Sequence, residues 1–283
     1  MKVIGLLLLL ITTAQADPII GHYPGGSPYA RQEVSNAVRS AIAPAGVRLG
    51  YVGDFLDMDY DLSPIRWSLD AVWGAGGVYV LNLMTTTPLR PIAYPQTSQE
   101  WDRSNRFYAL AAVIKSWGDT CGPTCYLLII PYPEMNGNWV PYGQTPGDFV
   151  EAFRKLRYVL WQTGALPYVR LVWGPMAASV SDLTPYYPGA GWADIVGCSA
   201  YQDLAIVTTC FTTLRTIAKG VPMLLTQTGA CAVGNKVWAS QLVDLLIPQT
   251  DVLGFLWFDY DKECDWRLSP QKWRAVVQPL DPR

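Results

Sequence analysis

Histidine, charge and long apolar runs are all scarce in this chain of 283 residues. A single His, His22, cannot form a multi-His metal site and gives little basis for a His-dependent catalytic triad. Charged residues make up only 16% of the chain, with 21 Lys and Arg against 23 Asp and Glu. Nucleic-acid binding relies on clustered Lys and Arg, so the lack of a basic block argues against a nucleic-acid partner.

Apolar and aromatic residues are abundant instead. The chain is 50% hydrophobic and 12% aromatic, with 12 Trp and 16 Tyr. This composition excludes a disordered chain, which has too little apolar surface to offset its conformational entropy by burial. We therefore expect a folded protein in which some of the aromatic side chains serve a function.

The first 16 residues have the pattern of a secretory signal peptide. Lys2 supplies the positive charge, residues 3–11 form a short apolar segment, and Ala14 and Ala16 form an A-x-A cleavage site. This segment is too short to span a bilayer, which takes about 20 residues. An uncleaved lipid-proximal anchor is the alternative. We expect residues 17–283 to be the mature protein, secreted to the extracellular space or periplasm, with no membrane association after cleavage.

Short apolar stretches alternate with helical patterns through the rest of the chain. Eight candidate strands lie at residues 19–23, 47–54, 78–84, 126–132, 168–173, 193–199, 222–227 and 252–258. Helical spacing of apolar residues lies between them, at residues 30–43, 64–72, 100–117, 148–162, 181–186, 210–219, 236–246 and 270–277. Eight strand–helix units predict the α/β class, as a single-domain (β/α)8 TIM barrel. A doubly wound sheet is the alternative, but its Gly-rich phosphate loop is missing.

Six cysteines in an exported chain predict three disulfides. Cys121 and Cys125 lie in one local turn and are expected to pair. Neighbouring barrel strands place their following loops side by side, which predicts a bridge between Cys231 and Cys264. Cys198 then pairs with Cys210, and we expect these last four cysteines to lie in loops. A shared metal ion is the alternative, but it lacks a second close Cys pair or a nearby His.

Glu134 is the first candidate for chemistry. It follows the fourth predicted strand in the sequence I-I-P-Y-P-E-M-N-G-N-W, and in a TIM barrel the catalytic residues lie where strands end. A helix cap or a solvated loop carboxylate is the alternative. Asn136, Trp139 and Tyr142 follow it, and aromatic rings offer large rigid surfaces for packing against sugar rings.

The segment P-E-M-N-G-N-W resembles the H-E-M-N-G-x-W motif of glycoside hydrolase family 26, the secreted β-mannanases and related β-glucanases. The resemblance continues in order. Residues 164–175, 186–201, 222–230 and 257–268 resemble the fifth to eighth strands of that family.

The resemblance implies a retaining glycosidase with two Glu residues, and the sequence departs from that pattern. Glu134 matches the general acid/base, but Gln227 occupies the position of the nucleophile. A neutral amide cannot form the covalent glycosyl-enzyme. The Arg and the His that the family pattern expects near the acid are replaced by Ile130 and Pro133.

The resemblance also assigns a sugar-binding cleft. It implies that Tyr201 lies beside the nucleophile position, that Trp139 follows the acid, and that Trp257 is the sugar platform of the eighth strand. Asn136 and Trp173 complete the predicted substrate-binding set.

Other residues offer alternative chemistry. Asp203, Asp259 or Asp261 would act as a general base for inversion if placed correctly, and each is otherwise a solvated carboxylate or a cap. A substrate's own 2-acetamido group, held by Gln227, is another possible nucleophile. His22 is either a buried structural residue or a substrate contact.

The acidic residues after the second strand are the remaining candidates for ligand binding. They either bind calcium or form a solvated acidic rim, and they are Asp54, Asp57, Asp59 and Asp61.

These features predict a secreted glycoside hydrolase-like protein acting on a β-linked polysaccharide of mannan or glucan type. A catalytically inactive glycan-binding protein that uses the same cleft is the alternative, and a wall protein using the barrel as a scaffold is a third hypothesis. We expect a monomer whose partner is a polysaccharide or oligosaccharide, with no metal and no cofactor.

Overall fold

Eight parallel strands form a closed barrel in the computed structural model, which describes residues 19–24, 36, 49–231, 235–259 and 265–277. Each strand pairs with the next along the chain, and the last pairs with the first. The strands are β1 Ile19–Pro24, β2 Leu49–Asp57, β3 Val78–Met84, β4 Leu127–Pro131, β5 Val169–Trp173, β6 Ile195–Tyr201, β7 Met223–Gly229 and β8 Val252–Asp259. The predicted (β/α)8 barrel is confirmed.

Helices follow the strands on the outside of the barrel. Within the described residues they are α1 Pro64–Gly74, α2 Arg90–Ala93, α3 Ser98–Cys121, α4 Pro146–Gln162, α5 Val180–Leu183, α6 Leu204–Ile217, α7 Asn235–Leu246 and α8 Pro270–Val277. None of these helices is both long and apolar enough to cross a membrane. The predicted helix at 30–43 lies almost entirely outside the described residues, as do residues 1–16.

Helix α6 starts earlier than the sequence predicts. The helical pattern indicated residues 210–219, whereas the helix begins at Leu204. Asp203 caps it, because its side chain accepts a hydrogen bond from the backbone N–H of Ala205 at 2.8 Å. The first turns contain Ile, Val and two Thr, and β-branched residues weaken a helical signal because their χ1 angles are restricted in a helix.

The core has two layers. The inner layer fills the barrel, and its buried side chains come from all eight strands: Tyr23, Tyr51, Val80, Leu128, Ile130, Val172, Ile195, Leu224 and Leu256. The outer layer, between the strands and the helices, is larger and includes Phe153, Trp173 and Trp257. The strands are therefore buried on both faces, as expected for a parallel sheet.

Glycine makes room for a large ring in the inner layer. A Cβ atom on Gly53 of β2 would lie 2.0 Å from a ring carbon of Tyr23. The Tyr23 ring therefore occupies the space beside the β2 backbone, and its hydroxyl reaches across to β7.

Two predicted disulfides are confirmed. Cys121 pairs with Cys125, with Cα atoms 6.0 Å apart, and Cys198 pairs with Cys210, with Cα atoms 6.6 Å apart. Cys198 lies in β6 and Cys210 in α6, as the predicted strand at 193–199 and helix at 210–219 imply, so the loop positions expected for these two cysteines are wrong. That bridge ties the helix to its preceding strand. Cys231 is also disulfide-bonded, and its predicted partner Cys264 lies outside the described residues.

Candidate active site

A cavity of about 660 Å³ opens at the carboxyl ends of the strands. This volume is in the usual range for a small-molecule site, roughly 300–1,000 Å³. Its lining combines aromatic, apolar and polar side chains: Phe55, Met84, Pro133, Glu134, Trp139, Val140, Tyr142, Met176, Tyr201, Gln202, Gln227, Phe258 and Trp266. Glu134, Trp139, Tyr201 and Gln227 were all predicted from the sequence as site residues, and the cavity brings them together.

The backbone after β4 is strained where it places Glu134. Tyr132 has φ of 53° and Glu134 has φ of 59°, a region that non-Gly residues enter at a cost of about 1–3 kcal/mol each. Hydrogen bonds to β3 and to the residue that follows β5 hold this conformation. The N–H of Tyr132 donates to the carbonyl of Leu83 at 2.7 Å, and that of Glu134 donates to Gly174 at 2.9 Å.

Trp139 holds the Glu134 carboxylate directly. Its indole Nε1 donates to Glu134 Oε2 at 2.9 Å, while 58% of the Trp139 residue stays exposed. The ring lies so close to Gly137 that a Cβ atom there would be 2.5 Å from it. The G-N-W part of the motif thus folds the Trp back over the acid, leaving its outer face open to a ligand.

The loop carrying Glu134 is fixed at two further points. The Tyr142 hydroxyl donates to the carbonyl of Pro133 at 3.0 Å. Burial raises the pKa of Tyr142, and the nearby charge of Glu134 raises it further, so the hydroxyl stays protonated. Asn136 bridges to the loop after β5, since its amide nitrogen donates to the Met176 carbonyl at 2.9 Å and its oxygen accepts from the Met176 N–H at 2.8 Å.

Gln227 reaches the cavity from an irregular part of β7. The register of β7 shifts by one extra residue relative to both neighbours, between Leu225 and Gln227 on the β6 side and between Leu225 and Thr228 on the β8 side. A bulge of this kind re-aims a side chain next to a site. Tyr23 supports it, because its hydroxyl donates to the carbonyl of Thr226 at 2.8 Å. Burial raises the pKa of Tyr23, which keeps that donor protonated.

Tyr201 at the end of β6 contacts Gln227. Its hydroxyl donates to Gln227 Oε1 at 3.0 Å, and Gln227 is only 4% exposed. The Tyr201 ring in turn packs against Trp266 and Phe258, with centroid distances of 5.4 and 6.2 Å. The amide is therefore fixed in position by a half-buried tyrosine that packs against two further rings.

The described lining of the cavity contains one acidic side chain and no basic one. Among its described lining residues, Glu134 is the one that carries an ionisable carboxyl, and none is a Lys, Arg or His. A carboxylate and a carboxamide, each held by one side-chain donor, are thus presented within an aromatic cleft.

The sequence model of glycosyl hydrolase family 26 matches residues 98–268, which is more than half of the chain. The chain belongs to glycosyl hydrolase family 26. Endoglucanase H of Acetivibrio thermocellus is 23% identical over 308 residues, which cover 97% of this chain and 33% of that protein. A mannan endo-1,4-beta-mannosidase of Bacillus subtilis is 32% identical over 87 residues, covering 27% of this chain and 24% of that protein. The matched parts of these two relatives thus amount to about a third of their length or less.

Solved structures show the same fold. The catalytic domain of the GH26 endo-beta-1,4-mannanase from Bacillus sp. JAMB-750 superposes with a TM-score of 0.74 at 15% identity, covering 95% of this chain and 87% of that one. The YdhT protein from Bacillus subtilis gives a TM-score of 0.71 at 20% identity, covering 92% and 84%. At these identities the likeness establishes the barrel fold.

Two Trp residues predicted to bind sugar do not line the cavity of this family 26 protein. Trp257 is fully buried on the outer side of β8, where it packs against Trp238 and Trp273 and donates to the carbonyl of Trp266 at 2.7 Å. Trp173 is likewise fully buried, against Tyr187. Successive side chains of a strand point to opposite faces, so the residues adjacent to these two Trp residues in sequence point into the barrel instead.

The cavity contains aromatic residues that the sequence reasoning missed. Phe258 lies two residues after the inward Leu256 on β8 and so on the same face of the strand, which a period of two identifies. Trp266 follows β8 in an irregular segment, and no local pattern indicates its position. The hydrogen bond from Trp257 to its carbonyl places Trp266 against Tyr201.

The other described candidate carboxylates, Asp203 and Asp259, make structural hydrogen bonds to the backbone. Asp203 caps α6 and is exposed outside the cavity lining. Asp259 is buried, accepts from the N–H of Leu268 at 2.8 Å and lies 3.4 Å from His22 Nδ1. His22 is buried against the edge of Trp273, which favours its structural interpretation. Asp261 lies outside the described residues.

The acidic residues at the end of β2 and in the segment after it are held by hydrogen bonds from nearby backbone and hydroxyl groups, including those of the segment after β3. Asp59 accepts from Thr85 and Thr86, Asp57 from the N–H of Asp59, and Asp61 from Ser63. Across the described ranges, no group of three or more His, Cys, Asp or Glu side chains is arranged to hold a metal ion.

Proposed function

We propose that this family 26 protein acts on O-glycosidic bonds of a β-linked polysaccharide, with Glu134 as general acid/base. The observation that carries the proposal is the position of Glu134, which follows β4 inside the aromatic cavity and accepts a hydrogen bond from Trp139 at 2.9 Å. Its reaction would be protonation of the leaving oxygen as the bond to the anomeric carbon breaks.

The lining supports a neutral polysaccharide. The cavity offers the rings of Phe55, Trp139, Tyr201, Phe258 and Trp266 as surfaces for sugar rings. Its described lining has no cationic side chain that would pair with an acidic sugar. The names of the relatives, an endoglucanase and a mannan endo-1,4-beta-mannosidase, favour a substrate of glucan or mannan type.

Tyr201 and Trp139 are the proposed substrate-binding residues at the two sides of the bond. Asn136 contributes as a positioning residue, because both ends of its amide bind the Met176 backbone. The export expected from residues 1–16 fits this function, since polysaccharides of this class lie outside cells, and the disulfides fit an oxidising compartment.

Glycan binding without hydrolysis is the second candidate. Gln227 is the observation that favours this candidate, because an amide at the nucleophile position forms no covalent glycosyl-enzyme. The cleft and its aromatic residues would still bind an oligosaccharide.

Release of reducing sugar from mannan and from mixed-linkage glucan tests the first candidate. The native protein should release product, and Glu134→Gln should lower the rate by about 10²–10⁴-fold. Glu151→Gln is the matched control, since Glu151 lies on α4 beside Arg154 and outside the cavity lining. An unchanged rate in Glu134→Gln would remove Glu134 from the mechanism, and binding without turnover would favour the second candidate.

A further inference from the structure

The cavity has one carboxylate among its described lining residues where glycoside hydrolysis generally uses two. Gln227 occupies the place of the second, Asp203 caps a helix, and Asp259 is buried behind the segment after β8. Among the described residues, no second carboxylate is placed to act with Glu134 on a glycosidic bond.

We propose that the substrate supplies the second reacting group, as a 2-acetamido group on the sugar bound next to Gln227. This inference rests on the proposed function, which makes Glu134 the general acid of a glycosidase. It narrows the substrate to a β-linked glycan of N-acetylated amino sugars.

Gln227 has the chemistry to hold such a group. A carbonyl oxygen has two lone pairs, and Tyr201 uses one of those on Gln227 Oε1 at 3.0 Å. The other can accept the N–H of the acetamido group, which directs the acetamido oxygen towards the anomeric carbon. Gln227 is nearly buried, so little water competes for this contact.

The surroundings of Gln227 also suit the acetamido methyl group. The rings of Tyr201, Phe258 and Trp266 pack against one another at centroid distances of 5.4–6.4 Å and all line the cavity. They form an apolar wall beside the amide. A sugar with a bare 2-hydroxyl group would leave this wall without a partner.

With the acetamido group as nucleophile, Glu134 is the one catalytic side chain that the reaction needs. The acetamido oxygen forms a bond to the anomeric carbon as the bond to the leaving oxygen breaks, and Glu134 gives that oxygen its proton. A cyclic oxazolinium ion results. Water then adds to the anomeric carbon, Glu134 takes its proton, and the ring opens to restore the acetamido group with retained configuration.

The stereochemistry restricts the sugar further. The acetamido oxygen must approach from the face opposite the leaving group, so the 2-substituent must be trans to the β-linkage. A sugar of gluco configuration meets this condition, whereas in a manno sugar the 2-substituent is cis to the β-linkage. The structure therefore favours a glucan-type backbone carrying 2-acetamido groups over a mannan.

Four pentasaccharides test the inference on the full protein. They are β-1,4-linked oligomers of N-acetylglucosamine, glucosamine, glucose and mannose, with products separated by chromatography. The native protein should cleave the N-acetylglucosamine oligomer at least tenfold faster than each of the other three, and the first-formed product should be the β-anomer. Glu134→Gln should remove this cleavage.

A sugar thiazoline, a stable analogue of the oxazolinium ion, gives a readout independent of turnover. It should bind the native protein, and Gln227→Ala should weaken that binding by about tenfold or more, because the amide contact is lost. Gln162→Ala is the matched control, since Gln162 is exposed on α4 and outside the cavity lining.

The outcomes separate this inference from the proposed function. Glu134-dependent cleavage of the glucose or mannose oligomer as fast as that of the N-acetylglucosamine oligomer would leave the glycosidase function standing and overturn the acetamido role. Cleavage of the N-acetylglucosamine oligomer with no thiazoline binding would also overturn it. Failure to cleave any of the four would contradict both proposals.

Discussion

The ends of β4 and β7 face the same cavity and are built in similar ways, yet they present different chemistry. Each holds one side chain with one donor: Trp139 donates to Glu134 at 2.9 Å, and Tyr201 donates to Gln227 at 3.0 Å. Each relies on an irregular backbone, a left-handed residue at Glu134 and a bulge before Gln227. The functional difference is a carboxylate on one side and an amide on the other.

This comparison shows that two strand ends of similar construction can present different polar groups to one cavity. Backbone irregularities that place a side chain cost free energy, and they persist only where the surroundings determine them. β7 has such an irregularity, and the Tyr23 hydroxyl donates to its backbone at Thr226. The β7 side therefore directs the polar side chain of Gln227 into the cavity.

Gln227→Glu should have the largest effect, because it returns an anionic nucleophile opposite Glu134. We expect hydrolysis of β-1,4-linked glucan or mannan to rise by about 10²-fold or more, within the range that a positioned catalytic group contributes. Reducing-sugar release measures it. Ile130 and Pro133 limit the gain, since both lack the polar side chains that the family pattern places near the acid.

Adding Glu134→Gln to that variant is its control. The gain should vanish on unactivated polysaccharide, because the leaving oxygen then has no proton donor. A gain that survives the second substitution would show that the two strand ends do not act on the same bond.

Trp257→Ala and Trp139→Ala should distinguish a residue that stabilises the fold from one that binds sugar. Trp257 is fully buried against Trp238 and Trp273, so its loss should lower the free energy of unfolding by about 3–5 kcal/mol. Trp139 is 58% exposed, so its loss should weaken oligosaccharide binding with a much smaller effect on stability. Denaturant unfolding and calorimetric titration measure the two quantities. The reverse pattern would place the sugar platform on β8.

The two disulfides should differ in stabilisation because they close loops of different length. Removing Cys198–Cys210, with a sequence separation of 12, should lower the unfolding free energy by about 3 kcal/mol. Removing Cys121–Cys125, with a separation of 4, should lower it by about 2 kcal/mol. Paired Cys→Ala variants test this by denaturant unfolding. Equal losses would contradict the loop-length argument.

Removing one donor on each side gives the finest test of the comparison. Trp139→Phe removes a hydrogen bond to a carboxylate, which is worth about 1.5–3 kcal/mol. Tyr201→Phe removes one to a neutral amide, worth about 0.5–1.5 kcal/mol. We expect kcat/KM on a cleaved oligosaccharide to fall further in the first variant than in the second. A larger loss in Tyr201→Phe would place the more sensitive group at β7.

The sequence predicted the fold well because burial on both faces gives each strand a short, continuous apolar run. The motif around Glu134 likewise predicted the end of β4. The bulge in β7 was not predicted, because an extra residue in one strand has no compositional signal. Trp257 was assigned to the cleft by resemblance, whereas alternation along β8 turns Phe258 inward. The position of Trp266 depends on the hydrogen bond that its carbonyl accepts from Trp257, nine residues earlier, and no local sequence pattern indicates that contact.

The central claim is that Glu134 and Gln227 contact one glycan from opposite sides of a single cleft. A crystal structure of the Glu134→Gln protein with a bound β-1,4-linked oligosaccharide tests it most directly. We predict a glycosidic oxygen within hydrogen-bond distance of the side chain at position 134, and terminal atoms at positions 134 and 227 about 5–5.5 Å apart. An oligosaccharide bound elsewhere, or a Gln227 side chain without sugar contact, would contradict the account.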